Sequence, residues 1–518
     1  MTLEERIKSL PPEKRALLEK KLKQKLREKK RLVAINRDGG RDTFPLSFSQ
    51  QRLWFLYQLD PESPFYNIPT SLRLSGSLDI QALKTSINDI VKRHEALRTA
   101  FLSEGKDAVQ KIHPDVAIDL PVEDLSQLEI KAQETAIKQL SDEEARKPFD
   151  LDQLPLIRCK LLRLKDTEHI LIINTHHIVS DGWSLSVFNK ELKAFYAHNT
   201  AHVPVMLDEL PIQYCDFSVW QRDWMSGEVL DEQLGYWTNK LKDAPPLLAM
   251  PLDRIYPSVK RYGGKNIRCM LSPGLTASIK DQVKQTKSTL FMYLLTAFNL
   301  LLSRYTRQQD IVIGSPIAGR QQQETENLIG FFINTLALRT DLSGNPTFGE
   351  LLGRVRESTL DAYAHQDLPF EKIVEELQPE RSLSYSPLFQ VMFALQSAST
   401  KTMQLQGIEI RTAEINSGVE KFDLTISAHE KPEGLGIYWS YNTDIYNQDT
   451  IERMTRHYQV LLEQIVAHPD RPISDYELLT SEERHQLLYD WNATAADYPQ
   501  DRCIQQLFEA QAARSPAA

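Results

Sequence analysis

Four cysteines in 518 residues, Cys159, Cys215, Cys269 and Cys503, are too few and too scattered for a disulfide framework, and none stands in a CxxC pair. They are expected as isolated thiols in or near the core, where free cysteine usually lies. Long hydrophobic runs are absent too. No stretch approaches the ~18 apolar residues of a membrane span, and the opening MTLEERIKSL has no apolar signal-peptide core. A cytoplasmic protein with no membrane partner is the expectation. An excess of basic charge is also missing. Sixty-one Lys+Arg against seventy Asp+Glu give −9, which speaks against nucleic acid as a partner. There is no GxxxxGK[ST] loop to cradle phosphates and no G-x-S-x-G elbow for a serine nucleophile. No short-period repeat is present.

What is present is ordinary globular composition, 41% hydrophobic and 25% charged. The length suits about three domains, or two large lobes with extra segments at the ends, and cores of that size need no staples. Segment 1–40 stands apart. Between 13 and 31 (EKRALLEKKLKQKLREKKR), ten Lys/Arg against three Glu give a local charge of +7. Leu18, Leu22 and Leu26 recur at helical spacing after Pro11-Pro12, which can open a helix where a missing N–H costs least. A solvated helix with one leucine stripe and a docking helix for an acidic partner are its two main readings. The narrow apolar face, without Trp or Phe, disfavours a membrane-surface helix.

Asp38-Gly39-Gly40 reads as a linker, and the globular region starts at Thr43-Phe44-Pro45. Residues 79–94 (DIQALKTSINDIVKRH) carry Leu83, Ile87, Ile90 and Val91 on one face, which predicts a helix with Asp79 as N-cap. Two β-branched runs, 156–164 and 169–174, joined by Lys165-Asp166-Thr167-Glu168, predict a hairpin. Helical period resumes after Gly182 at Leu185, Phe188 and Leu192. A second region is expected from about Leu230, with a long apolar helix at 290–305 and a strand at 310–314 (DIVIG). From 478 onward the chain reads as a helix, a polar linker and a second short helix. Both halves mix helices with strands, so the expected fold class is α/β or α+β in two lobes.

Ionisable groups gather behind a buried strand in one segment, 169–184 (HILIINTHHIVSDGWS). An imidazole titrates near neutrality and can exchange protons with a reacting group. Placed where a strand ends, His176 or His177 reaches a cleft while the strand fixes its position. Asp181, four residues after His177, can orient an imidazole or pair with an arginine. Gly182 is expected to supply a backbone angle or close approach that a Cβ would block. Three readings stand on these residues alone. A metal pair is disfavoured, because adjacent side chains on a strand point to opposite faces. The others are two histidines bonded into a core, and a general-base histidine with a structural partner.

HHIVSDG resembles the HHxxxDG motif of the condensation domains of nonribosomal peptide synthetases, relatives of chloramphenicol acetyltransferase and the lipoyl acyltransferases. Further segments resemble that family's other motifs, in order. The first two are SFSQQRLWFL (47–56) and RHEALRTAF (93–101). The fourth and fifth are YCDFSVW (214–220) and IGFFINT (329–335). HQDLPFEKIV (365–374) and RSLSYSPLFQ (381–390) follow. The resemblance covers about 44–479, with Ser382 standing where the seventh motif usually has Asp. Cyclisation domains carry DxxxxD, which the two histidines exclude. Epimerisation domains share HHxxxDG but lack segments like RLWFL and FFINT. RHEALRTAF and HHIVSDGWS are similar to the subtype that joins an L-configured donor to an L-acceptor.

The resemblance implies a pseudo-dimer of chloramphenicol-acetyltransferase-like lobes in a V, the first at 41–225 and the second at 226–480. The site would lie at their junction. Segment 481–518 is similar to the linker and opening helix of an adenylation domain, which makes that domain an expected downstream neighbour in a larger synthetase. With Met1 in front, the donor carrier is expected on another protein, and the basic helix becomes its docking candidate. The implied reaction is amide formation between two thioesters. These ride on phosphopantetheine arms of an upstream donor and a downstream acceptor carrier protein, with no permanently bound cofactor and no metal. His177 is the implied base or intermediate-stabilising donor, and His176 supports the turn. Asp181 is implied to pair with an arginine, for which Arg320 in GSPIAGR is the candidate. Asn334 either lines the site from the second lobe or satisfies buried backbone. Trp54, Trp183 and Trp220 are expected in core or interlobe packing. Two other functions remain open: CoA-dependent O- or N-acyl transfer, and a non-catalytic carrier-binding domain.

Overall fold

The hairpin read between 156 and 174 forms from two antiparallel strands, Ile157–Lys165 and Glu168–His176, with Leu161 beside Leu171. Every residue of the second strand after Glu168 is buried. A strand covered on both faces reads as a continuous apolar run rather than an alternation, which is why ILIIN carries no period of two. The computed structural model describes residues 40–105, 107–380, 382–396, 403–413, 418–431, 434–497 and 500–517, preceded by Ile35 and Arg37. The basic stretch 13–31, Asp38-Gly39 and Arg381 lie outside the described residues.

The hairpin sits inside a six-stranded mixed sheet, ordered Met403–Leu405, Ile408–Ala413, Asn67–Ser75, Glu168–His176, Ile157–Lys165 and Val122–Asp124. Two of these strands come from far along the chain, with Ile410 paired beside Leu74. The segment expected as the second lobe, 226–480, thus lends residues 403–413 to the sheet of the first half. Leu405, Ile408 and Ile410 join Leu72, Leu161 and Leu171 in that half's core, so lost burial as well as lost pairing opposes their detachment.

A second six-stranded sheet runs Asn334–Asp341, Asp310–Ile317, Val391–Gln396, Leu424–Lys431, Gly434–Asn442 and Gly264–Met270. The apolar helix, Leu290–Thr306, covers it, with every residue from Met292 to Leu302 buried. Thr289 caps its start by accepting the Met292 N–H. Each leucine so buried contributes about 1.5–3 kcal/mol, which makes this helix the anchor of the second core. In the first lobe, helix Ile80–Arg93 begins as expected, with the Asp79 carboxylate accepting the Ala82 N–H at 2.9 Å. Cys159 and Cys215 are buried and Cys269 is half-buried, but Cys503 is exposed. That last thiol departs from expectation because it caps the tail helix Ile504–Arg514, where Ile504 and Phe508 also face outward.

The connection between Ile317 and Asn334 positions the site. These two residues are hairpin partners in the second sheet, yet the chain between them crosses to the first lobe. Leu328, Ile329 and Phe332 are buried there, and Gly319 takes a positive φ of +65° with no room for a Cβ beside the Phe332 carbonyl. Glycine is required where the chain adopts that left-handed turn.

Candidate active site

The motif HHIVSDG is a strand end, a short 3-10 turn at His177–Val179, and the start of helix Gly182–Ala201. Asp181 is the helix N-cap. One carboxylate oxygen accepts the Ser184 N–H and the Ser184 hydroxyl, both at 2.7 Å. The same oxygen accepts from Arg320 Nη2 at 3.1 Å, and the other accepts the Phe332 N–H at 3.1 Å. A carboxylate at a helix N-terminus is favoured by the backbone dipole as well. The Arg320 guanidinium also donates to the Leu328 carbonyl at 2.7 Å and to that of Thr325, and lies 4.0 Å over the Phe332 ring. Both side chains are sealed from water. Burial pulls the Arg320 pKa below its ordinary value, and Asp181 opposes that pull. A buried ion pair of this kind holds only with its remaining polar groups satisfied, and here the crossing segment satisfies most of them.

The two histidines take opposite roles. His176 is buried, and its Nδ1 accepts the Ile178 N–H at 3.2 Å, which closes the turn. Burial, then the charges of Lys421 and Arg158, push its pKa down to about 3. His177 keeps accessible surface. Its Nδ1 lies 2.9 Å from the Ser180 carbonyl; a carbonyl only accepts, so Nδ1 carries the proton and Nε2 the lone pair. The His177 N–H donates to the Tyr66 carbonyl at 2.8 Å. The Phe331 ring meets the imidazole edge-on, centroids 4.8 Å apart. Burial first and Lys421 second hold the His177 pKa well below the usual imidazole value. The side chain is therefore a neutral imidazole with Nε2 free, among the described residues, to take a proton.

Residues 40–488 match the family model described as Condensation domain. The chain belongs to the condensation domains. It is 47% identical over 487 residues to a linear gramicidin synthase protein of Brevibacillus parabrevis, covering 94% of this chain and 6% of that protein. To surfactin synthase subunit 1 of Bacillus subtilis (strain 168) it is 37% identical over 487 residues, 94% of this chain and 13% of that protein. The chain thus spans a small part of the curated relatives it matches. Among solved structures, the X-domain of teicoplanin biosynthesis in complex with OxyB superposes with a TM-score of 0.78 at 28% identity, covering 86% of this chain and 98% of that one. A four-domain nonribosomal peptide synthetase bound to AMP and glycine gives 0.81 at 22% identity, covering 90% and 36%, a likeness of fold. Condensation domains have the two-lobed chloramphenicol-acetyltransferase-like fold and are amide-forming acyltransferases. Among the described residues no helix is long and apolar enough to cross a membrane.

Within this condensation domain the other expected residues fall in different places. Arg320 reaches Asp181, as the resemblance implied. Asn334 does not join them. Its amide donates to the Gln366 and Leu368 carbonyls and accepts the Phe370 N–H, which satisfies the start of helix Phe370–Leu377. Gly182 corrects the expectation made for it. It has an ordinary helical backbone, and a Cβ there would meet nothing within 4 Å. The close approach is at Gly330, where a Cβ would strike the Tyr214 ring. Trp54 is buried in the first core. Trp183 is 46% exposed, yet its indole N–H donates to the Glu326 carbonyl across the junction. Trp220 stacks parallel on Trp224.

Four site residues were not singled out from the sequence: Ser184, Tyr66, Phe331 and Lys421. Ser184 carried a readable signal, an Asp-x-x-Ser step ahead of a helical pattern. Phe331 lay inside the fifth motif segment, but nothing in a sequence says which of two adjacent phenylalanines turns toward an imidazole.

Proposed function

We propose that this domain joins a donor aminoacyl or peptidyl thioester to the α-amine of an acceptor aminoacyl thioester. Both would be presented on phosphopantetheine arms of carrier proteins, the subtype being L-donor to L-acceptor. The observation that carries the reading is the state of His177: Nδ1–H tied to the Ser180 carbonyl, Nε2 unpaired among the described residues, and a residue that keeps some accessible surface beside Phe331 of the crossing segment. An α-amine has a pKa near ~8 and is mostly protonated at pH 7. After that first proton is lost, nitrogen attacks the acyl carbon and a C–N bond forms. Nε2 accepts the second amine proton as the tetrahedral intermediate forms, the C–S bond breaks, and the proton passes to the departing thiolate. Products are the amide and the free thiol of the donor arm. Holding amine and thioester together contributes up to about 7–11 kcal/mol in favourable cases, and the base about 10²–10⁴-fold.

In this reading Asp181 and Arg320 are positioning residues that hold the turn and the crossing segment, and neither touches substrate. Gly182 and Asn334 have supporting places only. The donor carrier arrives from upstream, the acceptor carrier and an adenylation domain lie downstream, and 481–518 belongs to the approach to that adenylation domain. A second reading has a specific observation behind it. The X-domain, 28% identical to this chain, was solved in complex with OxyB, so a domain of this fold can also serve as a docking module. The deciding experiment loads two carriers with aminoacyl-phosphopantetheine and follows dipeptidyl-thioester by intact mass. Dipeptide that needs both carriers and disappears in His177→Ala supports the condensation reading. Carrier binding without product supports the docking module, and turnover with CoA esters alone supports soluble acyl transfer.

A further inference from the structure

The other lobe supplies a cation to the residues that flank the catalytic turn. Segment 418–423 is fixed at the junction, with Val419 bridged to Gly263 and the Glu420 N–H donating to the Tyr262 carbonyl at 2.9 Å. From it, half-buried Lys421 places its Nζ 4.7 Å from the Tyr66 ring centroid and 5.3 Å from that of Phe65. The carbonyl of the same Tyr66 accepts the His177 N–H. Tyr66 thus links the ammonium, on its ring, to the catalytic-motif backbone, on its carbonyl, across the two lobes. The adjacent Glu420 opposes this charge without forming an ion pair with it. Its carboxylate is occupied by the Phe422 N–H at 3.1 Å and the Thr425 hydroxyl at 2.8 Å. Among the described residues no carboxylate lies within ion-pair distance of Lys421 Nζ.

We propose that Lys421 is a positioning residue for the reaction: its ammonium, held on Tyr66 by the second lobe, adds to burial in keeping the His177 imidazole neutral so that Nε2 can take the acceptor amine's proton. The inference rests on reading His177 as the base. A cation near an imidazole disfavours its protonated form, and more so where water is excluded. Other charged and titratable groups face these residues. His176 adjoins His177 and itself feels Lys421 and Arg158. Arg52, from helix Phe48–Leu59, faces Lys421 and Tyr66 but is paired with Glu371 at 2.9 Å, with Tyr262 beside it. Burial, then Arg52, bring the Lys421 amine down to about 8, with Glu420 opposing. Lys421 is therefore charged at pH 7 and surrenders its charge just above it. A plain structural clamp predicts something else: a cation on an aromatic face adds stability and leaves His177 alone.

The test follows the His177 ring resonance against pH in the whole chain with ¹³C-labelled histidine, assigned by its disappearance in His177→Gln. Wild type, Lys421→Met and Lys421→Arg are compared. In Lys421→Met the protonated fraction of His177 at a given acidic pH is expected to rise about tenfold, and Lys421→Arg should restore the wild-type value. Wild type should also show a second inflection near the Lys421 value that Lys421→Arg lacks, a comparison that survives if the methionine variant does not fold. Superimposable His177 curves in all three proteins overturn the proposal. Dipeptide formation by Lys421→Met should drop further at pH 6 than at pH 8. Because the resonance is read without substrate, failure of this coupling is separable from failure of the condensation reading, which His177→Ala tests alone.

Discussion

The two ends of the HHIVSDG turn are built to opposite specifications. At one end Asp181 is sealed from water, and its two oxygens accept four hydrogen bonds from Ser184, Arg320 and Phe332. At the other, His177 keeps accessible surface and spends only one ring nitrogen, on the Ser180 carbonyl. Three residues separate a fully satisfied carboxylate from an imidazole left, among the described residues, with a free lone pair. The contrast divides labour: saturation at Asp181 fixes the frame, and incompleteness at His177 leaves valence for chemistry. A buried group with every bond made has nothing left to offer a substrate.

The sharpest way to break this comparison is Asp181→Ala. It leaves the Arg320 guanidinium buried without its counter-charge, which typically costs about 3–5 kcal/mol, a large share of the 5–15 kcal/mol that holds most domains together. Urea unfolding should show a much lower midpoint or no soluble protein at all. A stable, soluble but inactive Asp181→Ala would move the carboxylate from the frame to the chemistry. His177→Ala should behave inversely. Its removal deletes one part-buried hydrogen bond, worth about 1 kcal/mol, while dipeptide formation falls about 10²–10⁴-fold. Comparable losses of stability in both variants would erase the distinction.

His176 sharpens the comparison from the strand end just ahead of the turn. Buried and neutral, it has a folded pKa of about 3 against an ordinary 6.5. Between those values the unfolded chain binds a proton that the folded chain refuses, so stability falls as pH drops below 6.5 and continues to fall toward 3. His176→Asn offers an oxygen where Nδ1 accepts the Ile178 N–H and cannot titrate. Its melting temperature should lose less than wild type between pH 6.5 and 4. Parallel curves would show that the acid sensitivity lies elsewhere.

Much of this was legible locally. The hairpin ending at His176, the helix capped by Asp79 and the apolar helix at Leu290–Thr306 follow from patterns within about twenty residues. Features made by distant segments were not legible. No local pattern in 403–413 announces that Ile410 pairs with Leu74, because an apolar strand fits either sheet. The Asp181–Arg320 pair joins positions 139 apart and was reachable only through resemblance. Asn334 left two readings open, since an amide that lines a cleft and one that caps a helix look alike in sequence. Lys421 was invisible for the same reason: its meaning lies in the Tyr66 ring beneath it, contributed by the opposite lobe.

Gly182 gives the smallest effect and the finest test of frame against chemistry. A motif glycine invites the argument that backbone freedom is needed, and at Gly319, with φ of +65°, it is. At Gly182 the backbone is helical and the space in front of it is open, bordered by Thr175, Ser180 and Leu185. An added methyl group therefore meets no neighbour, and alanine in a helix gains up to about 0.5–1 kcal/mol over glycine. Gly182→Ala should match or slightly exceed wild type in thermal unfolding. If it loses more than about 1 kcal/mol, the frame does depend on glycine at this turn, because a favourable helix residue in open space has no other way to destabilise. If stability holds while dipeptide formation falls, the missing side chain is room kept for substrate, and the division between the two ends of the turn runs through residue 182 itself.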